Sequence, residues 1–289
     1  MAHLLLVQYN TTMRNFANRV AAVTGAGSGI GRSLAAQLAG QGCHLALSDI
    51  DATGLAATAA MLGTAPVTVT TSVVDVADRA AVDAWAKESG EAHGRVNLII
   101  NNAGVAMAGS VQDTPVEDYE WLMDINFWGV VYGTKAFLPL LREAGEGHVV
   151  NISSIFGLFS SPSQSAYNAA KFAVRGFTES LRQELDIDGG TVSATCVHPG
   201  GIATNIAKNA RLDPSANALL DTDVEVARDR FEKVLRTSAD DAARAILKGV
   251  RRNARRVLIG PDAKAADLMQ RSLPTGYQAL IGRGARILS

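Results

Sequence analysis

The stretch Thr24-Gly-Ala-Gly-Ser-Gly-Ile-Gly31 is the most informative part of this chain of 289 residues. It follows the β-branched run Arg19–Thr24 and leads into the alanine-rich run Ile30–Gln41, so it joins a predicted strand to a predicted helix. Glycines permit a tight turn and let the backbone approach a phosphate group, which the positive end of a helix attracts. The stretch therefore predicts a nucleotide-binding turn at the start of an α/β fold. Its spacing is not the common GxGxxG, and tight packing alone is the simpler alternative.

Strand-like and helix-like segments alternate along the rest of the chain. The predicted strands are Arg19–Thr24, His44–Ser48, Val67–Val74, Val96–Ile100, His148–Ser153, Val192–Val197 and Arg256–Ile259. The predicted helices are Ile30–Gln41, Gly54–Leu62, Arg79–Ala92, Val116–Arg142, Ser165–Asp186 and Ala239–Arg252. Because the strands are rich in apolar residues on both faces, we expect a Rossmann-type, doubly wound α/β fold: a seven-stranded parallel sheet with helices on both faces.

The same pattern predicts how the chain is organised. We expect a flexible extension over residues 1–12 and a single domain over residues 13–289. Residues 205–237 break the alternation after the sixth strand, where a lid over a site at the strand ends would lie. Residues 262–289 form a tail with scattered apolar residues, which would cover either the site or a subunit interface.

Composition excludes several classes of function. The net charge of −1 argues against a nucleic-acid partner, and no apolar run is long enough to span a membrane. Cys43 and Cys196 lie in apolar, strand-like runs and are expected to be buried free thiols, which suits a reducing, cytoplasmic compartment. No CxxC or HExxH motif occurs, so no metal site is expected.

An acidic residue follows the second predicted strand, in Ala46-Leu-Ser-Asp49-Ile50. A carboxylate at this place can accept hydrogen bonds from the ribose hydroxyls of adenosine, and it repels a 2′-phosphate. Asp49 therefore predicts NAD rather than NADP, with Arg32 the nearest cation that could weaken the preference. The alternative is that Asp49 is an ordinary strand-end cap.

Tyr167 and Lys171 stand four residues apart and would share one face of a helix, and Ser154 precedes them. An ammonium beside a phenol should lower the tyrosine pKa from its usual value of about 10. Such a phenol can exchange a proton with a carbonyl oxygen that the serine hydroxyl holds. The trio indicates chemistry between a carbonyl and an alcohol.

Taken together, these motifs resemble those of the short-chain dehydrogenase/reductase family. The matching residues, which occur in the family's order, are Thr24–Gly31, Asp75, Asn101-Asn-Ala-Gly104, Asn126, Ser154, Tyr167, Lys171, Pro199-Gly200 and Thr204. A tyrosine and a lysine at this spacing arise often by chance, whereas the whole set in order is highly specific.

The resemblance implies a role for each catalytic residue. Tyr167 would be the general acid/base, and Lys171 would lower its pKa and bind the nicotinamide ribose. Ser154 would orient the substrate oxygen. Asn126 would kink its helix and hold a water molecule in a proton relay. Two alternatives stay open: Ser153 could be the active serine, and His198 could be a catalytic base rather than a packed strand-end histidine.

The resemblance also implies the cofactor site. Besides Tyr167 and Lys171, the residues expected to bind it are Gly25, Gly27, Ser28, Gly29, Ile30, Gly31, Asp49, Ile50, Asp75, Val76, Asn102, Ala103, Gly104, Pro199, Gly200, Ile202 and Thr204. The family further implies a homotetramer or homodimer that pairs through the helices Val116–Arg142 and Ser165–Asp186.

The expected substrate site is apolar and aromatic. It comprises Ser154 together with Met107, Ile155, Phe156, Phe159 and Ile206. We therefore expect a hydrophobic secondary alcohol or ketone as substrate, and an NAD-dependent alcohol dehydrogenase or ketone reductase as the function.

Other functions use similar motifs. A long-chain aldehyde or acyl reductase would share all of them, and an epimerase or dehydratase with tightly bound NAD also uses a tyrosine and lysine pair. A cofactor-sensing binding protein is the non-enzymatic alternative, but it would not require Ser154, Tyr167 and Lys171.

Overall fold

The computed structural model describes residues 13–206, 209–216 and 237–288. The predicted extension over residues 1–12 and most of the predicted lid over residues 205–237 lie outside this part of the chain.

Nine strands and nine α-helices lie within the described residues. The strands are β1 (Val20–Thr24), β2 (His44–Asp49), β3 (Val69–Val73), β4 (Leu98–Asn101), β5 (Met107–Ala108), β6 (Gly147–Ile152), β7 (Val192–Pro199), β8 (Arg211–Leu212) and β9 (Arg256–Ile259). The helices are α1 (Gly29–Ala39), α2 (Ala52–Leu62), α3 (Arg79–His93), α4 (Val116–Met123), α5 (Gly129–Glu143), α6 (Ser165–Asp188), α7 (Ala239–Arg251), α8 (Pro261–Ser272) and α9 (Gly276–Leu288).

Seven of these strands form one sheet in the order β3-β2-β1-β4-β6-β7-β9, and every pairing in it is parallel. This confirms the predicted fold class. The central strands are buried along their whole length, whereas the edge strand β3 is partly exposed. A parallel sheet needs helices on both faces, and the near-continuous apolar strands reflect that double burial.

Side chains that alternate along the strands fill two separate cores. On β1, Ala21 and Val23 join a cluster with Leu34 and Leu38 of α1, while Val20 and Ala22 join one with Phe137 of α5. The alternation follows from the two-residue period of a strand. Because both faces of the sheet are buried, the ends of its strands have fixed positions, and a site can form on them.

The connections after β1 and β4 diverge at the sheet centre. From β1 the chain proceeds to β2 on one side, and from β4 it proceeds to β6 on the other. In open α/β sheets, ligands bind beyond the carboxyl ends of the strands at such a topological switch point.

Val116–Arg142 was predicted to be a single α-helix, and this prediction is wrong. A π-helical turn, Asp124–Trp128, separates α4 from α5. An extra residue in this turn shifts the register of the helix, and it places Asn126 at full burial.

The tail was not predicted to be helical, yet α8 and α9 occupy most of it. Gly276, Gly282 and Gly284 weaken the helical signal in its sequence, because glycine is a poor helix former. Packing of α8 and α9 against the rest of the protein supplies the helix stability that their local sequence lacks.

Candidate active site

The glycine-rich turn lies at the carboxyl end of β1, and its glycines meet backbone requirements. Gly25 and Gly29 have φ of 65° and 50°, a region that glycine adopts without strain. A Cβ on Gly31 would collide with the carbonyl oxygen of Gly25. The turn therefore brings bare backbone to the N-terminus of α1, with Ser28 as the residue that precedes the helix.

Thr24 and Asn102 tie this turn to the end of β4. The Thr24 hydroxyl accepts hydrogen bonds from the backbone N–H groups of Asn102 (2.9 Å) and Ala103 (3.0 Å). In return, the Asn102 side chain donates to the Thr24 carbonyl at 2.9 Å. These bonds hold both loops at the switch point. The part that the Thr24 side chain plays was not foreseen, although the residue opens the glycine motif.

Asp49 lies at the end of β2 and points at the glycine turn. Its carboxylate accepts hydrogen bonds from the N–H groups of Gly27 (2.7 Å) and Asp51 (2.9 Å). Asp49 thus acts partly as the strand-end cap considered above. Each carboxylate oxygen keeps a second lone pair, so a hydroxyl donor can still bind.

The Arg32 side chain, from the first turn of α1, is held against the glycine turn. Its guanidinium donates to the Thr58 hydroxyl at 2.9 Å and to the carbonyl oxygens of Gly27 and Gly54. These contacts occupy the Arg32 guanidinium, the cation that could have favoured the 2′-phosphate of NADP.

Ile50, Asp75 and Val76, three of the residues expected to bind the cofactor, follow the strands β2 and β3. Ile50 is 66% exposed, and Val76 is buried against Gly129. The Asp75 carboxylate accepts a hydrogen bond from Ala77 N at 2.9 Å. An exposed isoleucine beside Asp49 offers an apolar surface to a flat ring.

Ser154, Tyr167 and Lys171 come together at the end of β6 and on α6. The Lys171 ammonium lies 5.5 Å from the centre of the Tyr167 ring, and it donates a hydrogen bond to the Ile152 carbonyl at 3.2 Å. The Ser154 side chain lies close enough to the Tyr167 hydroxyl to lower the pKa of that phenol. All three residues are buried. The structure thus brings together a proton donor, a hydroxyl and a cation.

The expectation that Lys171 lowers the tyrosine pKa is wrong for the protein alone. Burial raises the pKa of Tyr167 to about 12, against the opposing hydrogen bond from Ser154. Burial also lowers the pKa of Lys171 to about 8. Desolvation disfavours the charged form of each group, and it is the largest influence on both pKa values.

The structure distinguishes Ser154 from Ser153. The Ser153 hydroxyl donates to the backbone carbonyl of Lys171 at 2.8 Å and is thereby occupied in the interior. The Ser154 hydroxyl, in contrast, accepts the Phe156 N–H at 3.2 Å at the start of the 3-10 turn Ile155–Gly157, and the Ser154 side chain lowers the pKa of Tyr167. Ser154 is the serine that is placed beside the phenol.

His198 supports Ser154 and is not placed as a base. Its Nδ1 donates to the Ser154 carbonyl oxygen at 2.9 Å, because a carbonyl can only accept. Burial lowers the pKa of His198 to about 4, so the ring is neutral at physiological pH. It is the packed strand-end histidine, and it holds the backbone of Ser154.

Asn126 clamps the chain that follows β4. Its amide accepts a hydrogen bond from Val105 N and donates one to Val105 O, both at 2.8 Å. Gly104 lies between this amide and Lys171, since a Cβ there would stand 2.9 Å from Asn126 Oδ1 and 3.5 Å from Lys171 Nζ. A π-helical turn lies where the kink was predicted, and both the kink and the water relay stay predictions.

The loop after β7 lies over the glycine turn. Thr204 approaches so closely that a Cβ on Gly29 would lie 3.1 Å from its methyl carbon, and Ile202 is buried. The Asp262 carboxylate accepts a hydrogen bond from Gly201 N at 2.6 Å. Asp262 was not foreseen, because it begins α8 about sixty residues later in the chain and no local motif marks it.

The predicted substrate residues form an aromatic side of the site. The Phe156 ring lies edge-on to Tyr167 at 6.0 Å, and Phe159 lies 5.5 Å from Phe156. Met107 packs in the same cluster as Tyr167, whereas Ile155 is partly buried. Ile206 is 36% exposed and ends the part of the predicted lid that is described before residue 207.

Two observations concern other kinds of site. Within the described ranges, no helix combines the length and apolar character needed to cross a membrane. The same residues contain no group of three or more His, Cys, Asp or Glu side chains that could hold a metal ion.

Comparison with known proteins identifies the family. The family described as short chain dehydrogenase matches residues 19–215. SadH of Mycobacterium tuberculosis, which is named as an oxidoreductase, is 46% identical over 273 residues, covering 94% of this chain and 97% of SadH. Levodione reductase of Leifsonia aquatica is 38% identical over 204 residues, covering 69% and 76% respectively.

Solved structures agree with these relatives. A short chain dehydrogenase/reductase from Burkholderia phymatum, solved in complex with NAD, superposes with a TM-score of 0.84 at 32% identity. The match covers 91% of this chain and 96% of that one. The chain belongs to the short chain dehydrogenase/reductase family, and it is an oxidoreductase of that family.

Proposed function

We propose that this protein is an NAD(H)-dependent oxidoreductase that interconverts a hydrophobic secondary alcohol and the corresponding ketone. The observation that carries the proposal is the convergence of Ser154, Tyr167 and Lys171 at the strand ends beside the glycine turn. The name of levodione reductase and the NAD complex of the Burkholderia phymatum protein support the same reading.

The described residues fit a nicotinamide dinucleotide. The glycine turn leaves bare backbone at the N-terminus of α1, where a Cβ on Gly27 would meet the Asp49 carboxylate at 2.8 Å. N–H groups at a helix N-terminus suit a pyrophosphate, and a carboxylate suits ribose hydroxyls. A bound nicotinamide would supply or accept the hydride, while the protein provides position and charge.

The catalytic residues would divide the proton chemistry between them. At neutral pH the phenol of Tyr167 is protonated, because burial keeps its pKa near 12. It can therefore donate a proton to the oxygen of a ketone that the Ser154 hydroxyl holds. Lys171, with a pKa of about 8, is largely cationic at this pH and stabilises the negative charge that develops on the tyrosine oxygen.

Replacing Tyr167 by phenylalanine tests this assignment. The Tyr167→Phe variant keeps the ring and its packing but removes the proton donor. We expect turnover to fall by about a thousandfold, within the range usual for a lost general acid. The measurement is NADH absorbance against aliphatic, aromatic and steroidal ketones and alcohols, with Tyr119→Phe as the control. Near-normal turnover by Tyr167→Phe would overturn the role of Tyr167.

The substrate panel also tests the proposed chemical class. The aromatic side formed by Phe156 and Phe159 favours apolar substrates. Activity restricted to sugars or polyols would contradict the proposal. A purified protein that carries tightly bound NAD, and shows no net turnover of NADH, would instead indicate an epimerase or a dehydratase.

Cofactor preference is a second prediction. The Asp49 carboxylate faces the glycine turn, and the Arg32 guanidinium is already engaged by other groups, so a 2′-phosphate would meet a negative charge. We expect kcat/KM to be at least about tenfold higher with NADH than with NADPH. Asp49→Ser should narrow this ratio, whereas Asp51→Ser, which alters a neighbouring carboxylate, should not. A clear NADPH preference of the unchanged protein would refute the assignment.

The proposed assembly is a homodimer or homotetramer that pairs through α4, α5 and α6. Trp128, in the π-helical turn between α4 and α5, is 43% exposed and Phe172 of α6 is 37% exposed, whereas Val130 of α5 is buried. Large exposed aromatic side chains of this kind are enriched at protein interfaces. Light scattering would give the number of chains per particle, and a monomer would contradict the proposal.

A further inference from the structure

The C-terminal helices share a hydrophobic cluster with the turn that follows β6. Buried Phe159 from that turn packs with buried Ala266 of α8 and buried Tyr277 of α9, and Phe156 packs against them. This cluster is separate from the two cores that cover the sheet. Its position means that the tail packs directly on the predicted substrate residues.

Tyr277 makes two different contacts with the turn. Its ring meets Phe159 edge-on, with centroids 6.2 Å apart and an angle of 84° between the planes. Its hydroxyl accepts a hydrogen bond from the backbone N–H of Ser160 at 3.2 Å. One side chain therefore holds both the ring and the backbone of the substrate-facing segment.

The contacts continue from Tyr277 to the proton donor. Phe159 lies 5.5 Å from Phe156, and Phe156 lies 6.0 Å from Tyr167 at an angle of 79°. Four aromatic rings thus form a continuous row from α9 to the catalytic tyrosine. Phe156, in the middle of the row, is only partly buried and leaves part of its surface open.

Helix α8, which precedes the helix of Tyr277, is bound to other elements by polar contacts. The Asp262 carboxylate at the start of α8 accepts the Gly201 N–H at 2.6 Å. Arg256 of β9 pairs with Asp267 of α8 at 2.9 Å and with Glu179 of α6 at 2.8 Å. These contacts join α8 to the cofactor loop, the sheet and α6, so the helix pair can position Tyr277 accurately.

We propose that Tyr277 is a specificity-determining positioning residue, which fixes Phe159 and Phe156 beside Tyr167 and so favours ketones that carry a ring. The proposal rests on the proposed function, because it assumes that Phe156 faces the substrate. An aromatic surface held at a fixed angle binds a flat ring better than a short aliphatic chain.

Three variants separate positioning from general stability. Tyr277→Phe removes only the hydroxyl, and Tyr277→Leu removes the ring as well. Leu280→Ala is the matched control, because Leu280 lies on the same helix but is 51% exposed. Thermal unfolding of each variant establishes that it folds before any other measurement.

The first readout does not depend on activity. Hydrogen–deuterium exchange, with fragmentation that isolates the Ser160 amide, reports on the bond to Tyr277. We expect exchange about fivefold faster in Tyr277→Phe and Tyr277→Leu, the effect of one neutral hydrogen bond, and unchanged exchange in Leu280→Ala. Unchanged exchange in both Tyr277 variants would overturn the proposal.

The second readout compares benzylacetone with butanone, two methyl ketones that differ by a phenyl ring. In Tyr277→Leu we expect the KM for benzylacetone to rise about tenfold while the KM for butanone stays within about twofold. Tyr277→Phe should keep both values close to those of the unchanged protein. Equal effects on both ketones would indicate a merely structural role and would overturn the claim of specificity.

The two readouts separate the two proposals. If the unchanged protein reduces no ketone, the proposed function fails and takes with it the specificity claimed for Tyr277. The exchange measurement would then decide alone whether Tyr277 positions the segment.

Discussion

Burial changes the ionisation of both members of the Tyr167–Lys171 pair. Sequence spacing places the two on one helix face, but the pKa values depend on what surrounds them. Desolvation raises the pKa of Tyr167 to about 12 and lowers the pKa of Lys171 to about 8. The protein alone therefore holds a phenol in its acid form, which suits proton donation to a ketone.

The cost of burying Lys171 should appear in the stability of the protein. Its pKa falls from 10.5 to about 8, so the unfolded chain binds more protons between these pH values. The unfavourable contribution is fully present below about pH 8 and disappears as pH rises to about 10.5. We expect Lys171→Met to be more stable than the unchanged protein at pH 7, by at most about 3 kcal/mol, and this difference to shrink at higher pH.

Urea unfolding at several pH values measures that difference. Groups far from Lys171 titrate alike in both proteins and cancel in the comparison. Lys135→Met, which alters an exposed lysine of α5, is the control and should show no such trend. A Lys171→Met protein that is less stable at every pH would contradict the prediction.

At the scale of elements, the π-helical turn Asp124–Trp128 shows how a local irregularity serves the site. The turn buries Asn126 completely and directs its amide to both polar backbone groups of Val105. π-helical turns often occur at functional sites. In this protein the π-helical turn holds the loop that follows β4. Gly104, in this loop, lies between Asn126 and Lys171.

Removing the Asn126 side chain should therefore lower the free energy of unfolding more than a substitution on the surface does. Asn126→Ala leaves the N–H and carbonyl of Val105 without these partners, and we expect the free energy of unfolding to fall by about 2 kcal/mol. Denaturant titration measures the loss. Asn15→Ala removes a single exposed hydrogen bond to Ala17 N and should stay within about 0.5 kcal/mol of the unchanged protein. An equally small effect for Asn126→Ala would show that the clamp is dispensable.

At the scale of the whole molecule, burial in the two cores on either face of the sheet determines which side chains can react. Cys43 and Cys196 are both buried and free, as their apolar strands predicted. Burial raises the pKa of each thiol to about 12, so little thiolate exists near neutral pH.

We therefore expect slow reaction of the native protein with a thiol reagent such as DTNB. The unfolded chain should react quickly at both cysteines, because its thiols regain an ordinary pKa and full access. Absorbance of the released thiolate, with and without urea, gives the two rates. Fast labelling of the native protein would contradict the assigned burial.

Much of the fold and the site could be predicted because their signals are local. The apolar strands and the helices between them are readable from periodicity, and the glycine turn and the Tyr167–Lys171 spacing lie within short segments. The helices of the tail were missed because their sequence is rich in glycine. The single helix predicted across Asn126 was wrong because nothing in its periodicity marks the extra residue of the π-helical turn.

Local sequence patterns were enough to predict the class of fold, the order of the motifs along the chain, and the residue types of the site. The ionisation of Tyr167 and Lys171, the placement of Ser154 rather than Ser153 beside Tyr167, and the contacts of His198, Asp262 and Tyr277 emerged only from the folded chain. The reason is physical: short motifs act through bonds between near neighbours in the chain. Desolvation and packing depend instead on segments that meet only when the sheet, α8 and α9 come together.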